Sequence, residues 1–421
     1  MPSEKQFLHL DGDAFFASCE LTRRRDLQGT PVVVGAERGI ATAMNREAKA
    51  LGIERGAPVY KIRAQYGNAV AIIPSHFDLY QHIAEQCYTV LRRYASTVER
   101  YSIDECFVDI SHISANDIQK TVLAIQQELL DCLGVTYSCG IGRTKTLAKL
   151  GSKFKKPFGC TWVHQDMETK FLEQIAVADV WGIGRRLAPQ MHERGITTAC
   201  MLRDASEGLL LGLNTITLRH LQDELRGISR HVVKTEYAYQ KSVESTRSFG
   251  EYHNERSFVV SELSRNVEIV AERLHELGVV GKEVCLFIKT SEGRIYAEAE
   301  LPQYTDDVRL LLEVSIPQIT QLWHTAGGKK NRYKATGICV AKCIPKDMVP
   351  QDLFGLVEVH RDTADSLQGA VRSIRGLHGH GAILYASSLE SGTYRGHERD
   401  RRDTLDPYIY GLPLPYLGEV I

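Results

Sequence analysis

The stretch Val98-Glu99-Arg100-Tyr101-Ser102-Ile103-Asp104-Glu105-Cys106-Phe107-Val108-Asp109-Ile110 decides how this chain is read. It is rich in β-formers, yet the polar run Ser102-Ile103-Asp104-Glu105 interrupts it. Two strands joined at a polar tip satisfy both facts. Neighbouring side chains on a regular strand point to opposite faces, but at a tip that alternation breaks and Asp104 and Glu105 can converge. Upstream, Phe7-Leu8-His9-Leu10 reads as a buried strand ending at Asp11. Three acids thus stand at the ends of apolar strands, where an ionised carboxylate is expensive. Converging carboxylates repel unless a cation lies between them, and oxygen ligands without Cys or His suit magnesium. A pair of such ions activates an attacking hydroxyl and stabilises a leaving oxygen in phosphoryl transfer. Taken alone, Asp11 serves equally as a helix cap, and Asp104-Glu105 as solvated turn residues.

Working outward, helix-like sequence runs from Asp13 to Arg25, and Pro31–Gly35 is a second strand. Residues 43–52 read as a short helix stopped by Gly52, and Asp78–Tyr94 as a longer one. A helix over Asp117–Leu133 and a strand at Val135–Gly140 complete an α+β layer. Residues 141–156 form a basic helix ending before Pro157. Residues 165–235 are helical and punctuated by glycine, and 236–245 are a polar linker. From 246 to 345 the order is strand, helix, strand, strand, helix, strand, including Val284–Thr290, Arg294–Leu301 and Lys334–Lys342. Beyond Pro345 the chain is irregular, with one β-like run at Ala382–Ala386.

Several groups suit phosphate. Segment 141–156 carries Arg143, Lys145, Lys149, Lys153, Lys155 and Lys156 with no acid. Lys145, Lys149, Lys153 and Lys156 share one helical face, and an unmixed basic face favours a phosphate partner. Arg46 and Lys49 lie at i, i+3 and form either a second phosphate contact or a solvated face. Of Phe15-Phe16, at least one is a core aromatic, while the sharper reading puts one ring under the sugar of a nucleotide. In Val180-Trp181-Gly182-Ile183-Gly184-Arg185-Arg186-Leu187, the glycines let backbone N–H groups approach a DNA phosphate, and Arg185 and Arg186 add charge. A plain helix–helix turn fits that stretch too. Lys289, Arg294, Lys329, Lys330, Arg332, Lys334 and Lys342 offer a second grip on a duplex, or a solvated sheet face.

Composition sets the outer bounds. The 421 residues suggest about three domains. The 51 Lys+Arg against 52 Asp+Glu exclude a uniformly basic coat, so any DNA contact is made by patches. Ten scattered cysteines without a C-x-x-C pair argue against a disulfide framework or zinc site. The N-terminal residues carry no signal-peptide pattern, and no apolar run approaches the ~20 residues that span a bilayer. A cytoplasmic protein without membrane contact is expected.

These motifs resemble those of the Y-family translesion DNA polymerases. Leu10–Glu20, Leu-Asp-Gly-Asp-Ala-Phe-Phe-Ala-Ser-Cys-Glu, is similar to the family's first motif. Tyr101-Ser102-Ile103-Asp104-Glu105 is similar to the second, and Gly140–Lys149 with Lys156-Pro157 to the third. Asn45–Gly52, Asp179–Arg186, Arg247–Glu251 and Phe287–Ser291 resemble the UmuC-type branch, the catalytic subunits of bacterial DNA polymerase V. The resemblance covers nearly the whole chain. It implies an α+β multidomain right hand: palm 1–24 and 74–164, fingers 25–73, a helical, helix-hairpin-helix-like thumb 165–235, linker 236–245, a βαββαβ-like little finger 246–345, and an irregular C-terminal tail 346–421.

It further implies that Asp11, Asp104 and Glu105, with the Gly12 carbonyl, hold two Mg2+ ions. Phe16 matches the sugar-discriminating gate, next to Phe15, and Lys156 matches the lysine that binds the dNTP triphosphate. Lys49 stands where many relatives have arginine, and Arg46 departs from the triphosphate-contacting tyrosine of many relatives, though a cation there is chemically sensible. The implied activity is error-prone, template-directed synthesis on primer–template DNA in the bacterial SOS response. Pro350-Gln351-Asp352-Leu353-Phe354 resembles a sliding-clamp motif built on Asp352, Leu353 and Phe354, but its first position is usually glutamine. A loop anchored on its own domain is the alternative. The branch also implies a processed UmuD-type dimer and a recombinase filament as partners. A nucleotide cyclase and a catalytically dead DNA-binding subunit are rivals, and retention of all three acids argues against the latter.

Overall fold

Strand β1 (Phe7–Gly12) is buried along its whole length because it is paired on both edges. The structure, a computed structural model, describes residues 5–213, 215–235, 239–350, 361–378 and 382–390. The chain divides into two units after residue 236. In the first, β1 is followed by α1 (Phe15–Arg23), β2 (Val32–Val34), β3 (Ala43–Met44), α2 (Arg46–Ala50), α3 (Val59–Tyr66), β4 (Ala71–Ile73) and α4 (Phe77–Tyr94). Then come β5 (Val98–Arg100), β6 (Glu105–Asp109), α5 (Ala115–Leu133), β7 (Tyr137–Gly142), α6 (Lys145–Phe154) and β8 (Cys160–Trp162). Helices α7 (Glu168–Glu173), α8 (Leu187–Glu193), α9 (Ala199–Asp204) and α10 (Thr215–Leu225) complete the unit.

The main sheet has the order β5-β6-β1-β7-β8, with β1 antiparallel to both neighbours. Alternation along β1 divides its side chains between two faces. Leu8 and Leu10 join the core under α4 and α5, with Tyr80, Ile83, Leu91, Ile118 and Ile125. Phe7, His9 and Asp11 face the other way. Phe7 packs with Phe107 and Ala148, and His9 Nδ1 lies 2.7 Å from Ser152 Oγ on α6. Helix α6 sits directly on β7 because two strand positions lack side chains. A Cβ on Gly140 would stand 1.9 Å from the Ala148 carbonyl oxygen and 2.2 Å from the Ser152 nitrogen. The strand thereby brings a lysine-bearing helix onto the face that carries Asp11.

The expected pair of strands flanking 102–105 is present as β5 and β6. The helix expected over 141–156 begins only at Lys145, since β7 continues through Gly142 and Thr144 caps α6 by accepting the Leu147 N–H at 3.2 Å. Residues 43–44, expected as helix, form β3 in a small β3-β2-β4 sheet. Asn45 then caps α2, accepting the N–H groups of Ala48 at 3.0 Å and Val32 at 2.9 Å. Helices α7 to α10 share a core with Leu147 and Leu150 of α6. The buried carboxylate of Glu224 accepts the N–H groups of Thr146, Arg230 and His231 at 3.2, 2.6 and 2.9 Å, which ties this helical segment to the first turn of α6.

The second unit contains β9 (Ser242–His253), α11 (Arg256–Glu276), β10 (Val279–Thr290), β11 (Arg294–Thr305), α12 (Val308–Thr325), β12 (Tyr333–Ala341), β13 (Ile344–Pro345) and α13 (Arg361–His378). The expected strand and helix order is present, in a sheet ordered β11-β10-β12-β9. Helices α11 and α12 cover one face through Leu263, Val267, Leu286, Ile288, Ile319 and Ile338. Strand β9 starts at Ser242, so the end of the expected linker 236–245 belongs to the sheet. The irregular tail expected for 346–421 is corrected by α13. Its buried Arg375 bonds Glu268 Oε2 at 2.5 Å and the Ile383 carbonyl at 2.8 Å. Gly369 and Gly376 are poor helix formers, but α13 forms across them where Arg375 docks on Glu268 of α11. Ala382–Ala386 forms no strand: Tyr385 packs on the core beside α11 and Ala386–Ser388 makes a 3-10 turn. Asp352, Leu353 and Phe354 lie outside the described residues. Among those described, no helix is long and apolar enough to cross a membrane.

Gly140→Ala should lower the thermal denaturation midpoint by an amount equivalent to about 1–3 kcal/mol, the usual cost of overpacking. Gly250→Ala, where a methyl group would meet nothing within 4 Å, is the control. Equal midpoints for the two variants would contradict the close seating of α6.

Candidate active site

Asp11 on β1 and Glu105 on β6 are cross-strand partners in the antiparallel register. The Gly12 N–H donates to the Asp104 carbonyl at 2.9 Å, which brings the β5–β6 tip against the end of β1. Ser102 Oγ donates to Asp104 Oδ1 at 2.5 Å. All three predicted acids therefore meet at one corner of the sheet. Asp13, which was not expected to be a ligand, serves the scaffold: it accepts from Ser138 Oγ and from the Phe158 N–H, both at 2.8 Å. That pins the loop carrying Lys156.

Two ammonium groups sit on this corner. Lys156 Nζ is 2.5 Å from Asp11 Oδ1, and Lys149 Nζ is 2.7 Å from Glu105 Oε2. The expectation of a phosphate-facing lysine row is thereby corrected. Lys145 and Lys149 are buried, and Lys145 is spent on Glu99 at 2.7 Å. The helix face is basic because it neutralises acids of the sheet, and only Lys153 and Lys156 of that row are exposed. Burial pushes the Asp11 carboxyl above its ordinary range; Lys156 opposes that shift, while Glu105 and Asp104 add to it. Among the described residues no three acidic, His or Cys side chains stand close enough together to hold an ion as they are placed. The corner nonetheless fits a hard cation, since its donors are all oxygen and lysine ammonium groups already stand on two of them.

The aromatic pair divides as the structure requires. Phe15 is buried in the core beneath Gly12, where a Cβ would meet its ring at 2.8 Å. Its ring therefore serves the core, and any nucleotide contact at this position falls to its backbone. Phe16 is half-buried, stacked on Tyr80 with centroids 4.4 Å apart and planes at 13°. Tyr80 donates its hydroxyl to buried Glu20 at 2.5 Å, and His76 Nδ1 lies 2.9 Å from the same carboxylate. The sequence reading missed this network, although Glu20 falls one turn after Phe16 on α1. Arg46 and Lys49 are exposed on α2, and neither has an ion-pair partner among the described residues.

Gly182 takes a left-handed φ of +96°, and Gly182, Gly184, Arg185 and Arg186 are exposed. Trp181, just before them, donates its Nε1–H to the Tyr101 hydroxyl at 3.0 Å. In the second unit, the open sheet face is graded in charge. The register places Lys289 beside Arg294, then Phe287 beside Tyr296, then Cys285 beside Glu298, then Glu283 beside Glu300. Arg332 lies over the Tyr252 ring at 4.9 Å. Lys329 and Lys342 are taken up by Glu255 and Glu283, so the expected basic strand edges shrink to one end.

Residues 10–153 match the impB/mucB/samB family, and residues 240–353 match the impB/mucB/samB family C-terminal domain. A DNA polymerase IV of Staphylococcus epidermidis is 30% identical over 293 residues, covering 68% of this chain and 82% of that protein. A DNA polymerase IV of Streptococcus pyogenes serotype M12 is 28% identical over 327 residues, covering 76% and 85%. In fold, the chain is similar to the solved "Y-family DNA polymerase chimera Dbh-Dpo4(243-245)-Dbh". The TM-score is 0.71 at 19% identity, over 81% of this chain and all of that one.

Because burial raises the Asp11 carboxyl above its ordinary range, ionising it costs the folded state more than the unfolded chain, and that cost accrues as pH rises. Asp11→Asn should therefore raise the metal-free melting midpoint at neutral pH, with the gain shrinking as pH falls. Mg2+ should raise the midpoint of the unsubstituted protein and leave Asp11→Asn unmoved. A lower metal-free midpoint for Asp11→Asn would mean that the Lys156 pair outweighs burial.

Proposed function

Because the chain belongs to the Y-family DNA polymerases, we propose that Asp11, Asp104 and Glu105 are its catalytic acids, and that it copies past damaged bases with low fidelity. The carrying observation is the register pairing of Asp11 with Glu105 beside Asp104, from segments some ninety residues apart in sequence. Magnesium, two ions held by these carboxylates and the Gly12 carbonyl, would activate the primer hydroxyl and neutralise the dNTP triphosphate. Lys156, Lys49 and Arg46 supply positive charge to that triphosphate. Phe16, backed by Tyr80, presents a flat ring to the sugar and excludes a 2′-hydroxyl by volume. Gly182, Gly184, Arg185 and Arg186 hold the DNA backbone without reading bases. Lys289 and Arg332 form the second grip, at the basic end of the other unit.

We assign residues 1–24 and 74–164 as palm, 25–73 as fingers, 165–235 as thumb and 242–345 as little finger. Such short fingers leave little protein to close over a nascent pair, which admits a damaged template base. The relatives named above are DNA polymerase IV, whereas Asn45–Gly52, Asp179–Arg186, Arg247–Glu251 and Phe287–Ser291 resemble the UmuC-type branch. We propose the UmuC-type branch, with an SOS role, a processed UmuD-type dimer, a recombinase filament and the sliding clamp as partners. Strong primer extension by the isolated chain, unchanged by those proteins, would favour the polymerase IV branch instead.

Glu105→Gln should reduce single-nucleotide incorporation by about 100-fold or more, equivalent to ~2.7 kcal/mol of barrier. Phe16→Ala should keep incorporation and admit ribonucleotides. Triphosphate consumption without primer would point to a cyclase, and unchanged sugar selectivity in Phe16→Ala would remove the gate role.

A further inference from the structure

Two buried ammonium groups share three aromatic rings behind the acidic corner. Lys149 Nζ lies 4.1 Å from the Tyr101 ring centroid and 5.7 Å from that of Trp181. Lys145 Nζ lies 4.4 Å from Phe107 and 5.8 Å from Trp181. Trp181 stacks on Phe107 at 5.8 Å and 27°, and meets Tyr101 edge-on at 5.4 Å and 85°. It stands immediately before the exposed turn 182–186, whose two glycines would meet nothing within 4 Å if given a Cβ. Trp181 and buried Ile183 therefore anchor that turn, and Trp181 anchors it to the sheet.

We propose that Trp181 is a positioning residue that couples the phosphate-gripping turn Gly182–Arg186 to the catalytic carboxylate Glu105, through Tyr101 and Lys149. This rests on the polymerase reading above. Lys149 is divided between the Glu105 carboxylate and the Tyr101 ring, and Trp181 fixes that ring by a hydrogen bond and an edge contact. Cation–π attraction strengthens when the ammonium is desolvated, enough to compete for a shared ammonium. A DNA backbone seated on the turn presses on Trp181, and the ring arrangement then sets how firmly Lys149 holds Glu105. Loosening that hold frees Glu105 for the hard cation its corner suits. DNA on the turn thereby favours the completed acidic site, and by the same coupling a cation taken up at the corner moves Trp181.

The test uses the full chain with primer–template DNA, Mg2+ and saturating dNTP. Trp181→Leu should lower the single-turnover rate about tenfold, with DNA Kd changed by less than about threefold. Trp181→Phe, which keeps a ring, should recover most of that rate. Adding Trp181→Leu to Lys149→Met should cost nothing beyond Lys149→Met alone, as coupled residues do. Independent, multiplying losses, or a Trp181→Leu defect confined to DNA Kd, would overturn the coupling. A second readout needs no turnover. With Trp162→Phe and Trp323→Phe, Trp181 is the sole tryptophan, and its emission should shift on Mg2+ addition without DNA, but not when Lys149→Met is added. No shift in the Lys149-containing protein also overturns the proposal. Absence of primer extension by the unsubstituted chain, with the emission shift intact, would instead count against the polymerase reading.

Discussion

Everything in the first unit is organised around two lysine–carboxylate pairs, Lys149 with Glu105 and Lys156 with Asp11. Ionised acids at the end of a buried strand are tolerable only beside positive charge. That charge arrives on α6 and the loop after it. Helix α6 can reach the acids only because β7 presents Gly140 and Gly142 as a flat seat. Strand register, glycine placement and lysine placement thus form one constraint: a side chain at 140 would lift the helix and leave the acids uncompensated.

The same constraint explains how the site changes state. Lysine ammonium groups are weak stand-ins for a divalent ion. Each holds its carboxylate through a single hydrogen bond, which under the proposed reading a harder, doubly charged cation would displace. Buried Glu20, with half-buried His76 beside it, does comparable work near Phe16 by fixing the Tyr80 ring on which Phe16 stacks.

Much of this was legible in the sequence where one local pattern implies one structure. The interruption of an apolar run by Ser102–Glu105 announced the strand tip, and the strand and helix order of 246–345 followed from periodicity. The acids were legible because carboxylates at strand ends have few uses. What stayed hidden depended on pairing across distance. Lys145 and Lys149 looked like a phosphate surface, since nothing local reveals that Glu99 and Glu105 face them. Helix α13 stayed hidden because its docking pair, Arg375 and Glu268, joins residues about a hundred positions apart. Trp181 was given no role of its own because its partners, Tyr101 and Phe107, lie more than seventy residues away.

The open sheet of the second unit acts as an electrostatic ramp. From Lys289 to Glu283 the strand advances six residues, or about 20 Å at ~3.4 Å per residue. The screening distance at cellular ionic strength is only ~8 Å. In the cell a polyanion lying along the Lys289–Arg294 end scarcely feels the glutamates downhill. In dilute buffer the two ends see each other; Glu283 and Glu300 are paired with Lys342 and Lys282, so the repulsion comes chiefly from Glu298 and offsets part of the usual gain. Affinity for a duplex at this face should therefore rise less steeply with dilution than its count of lysines and arginines would suggest.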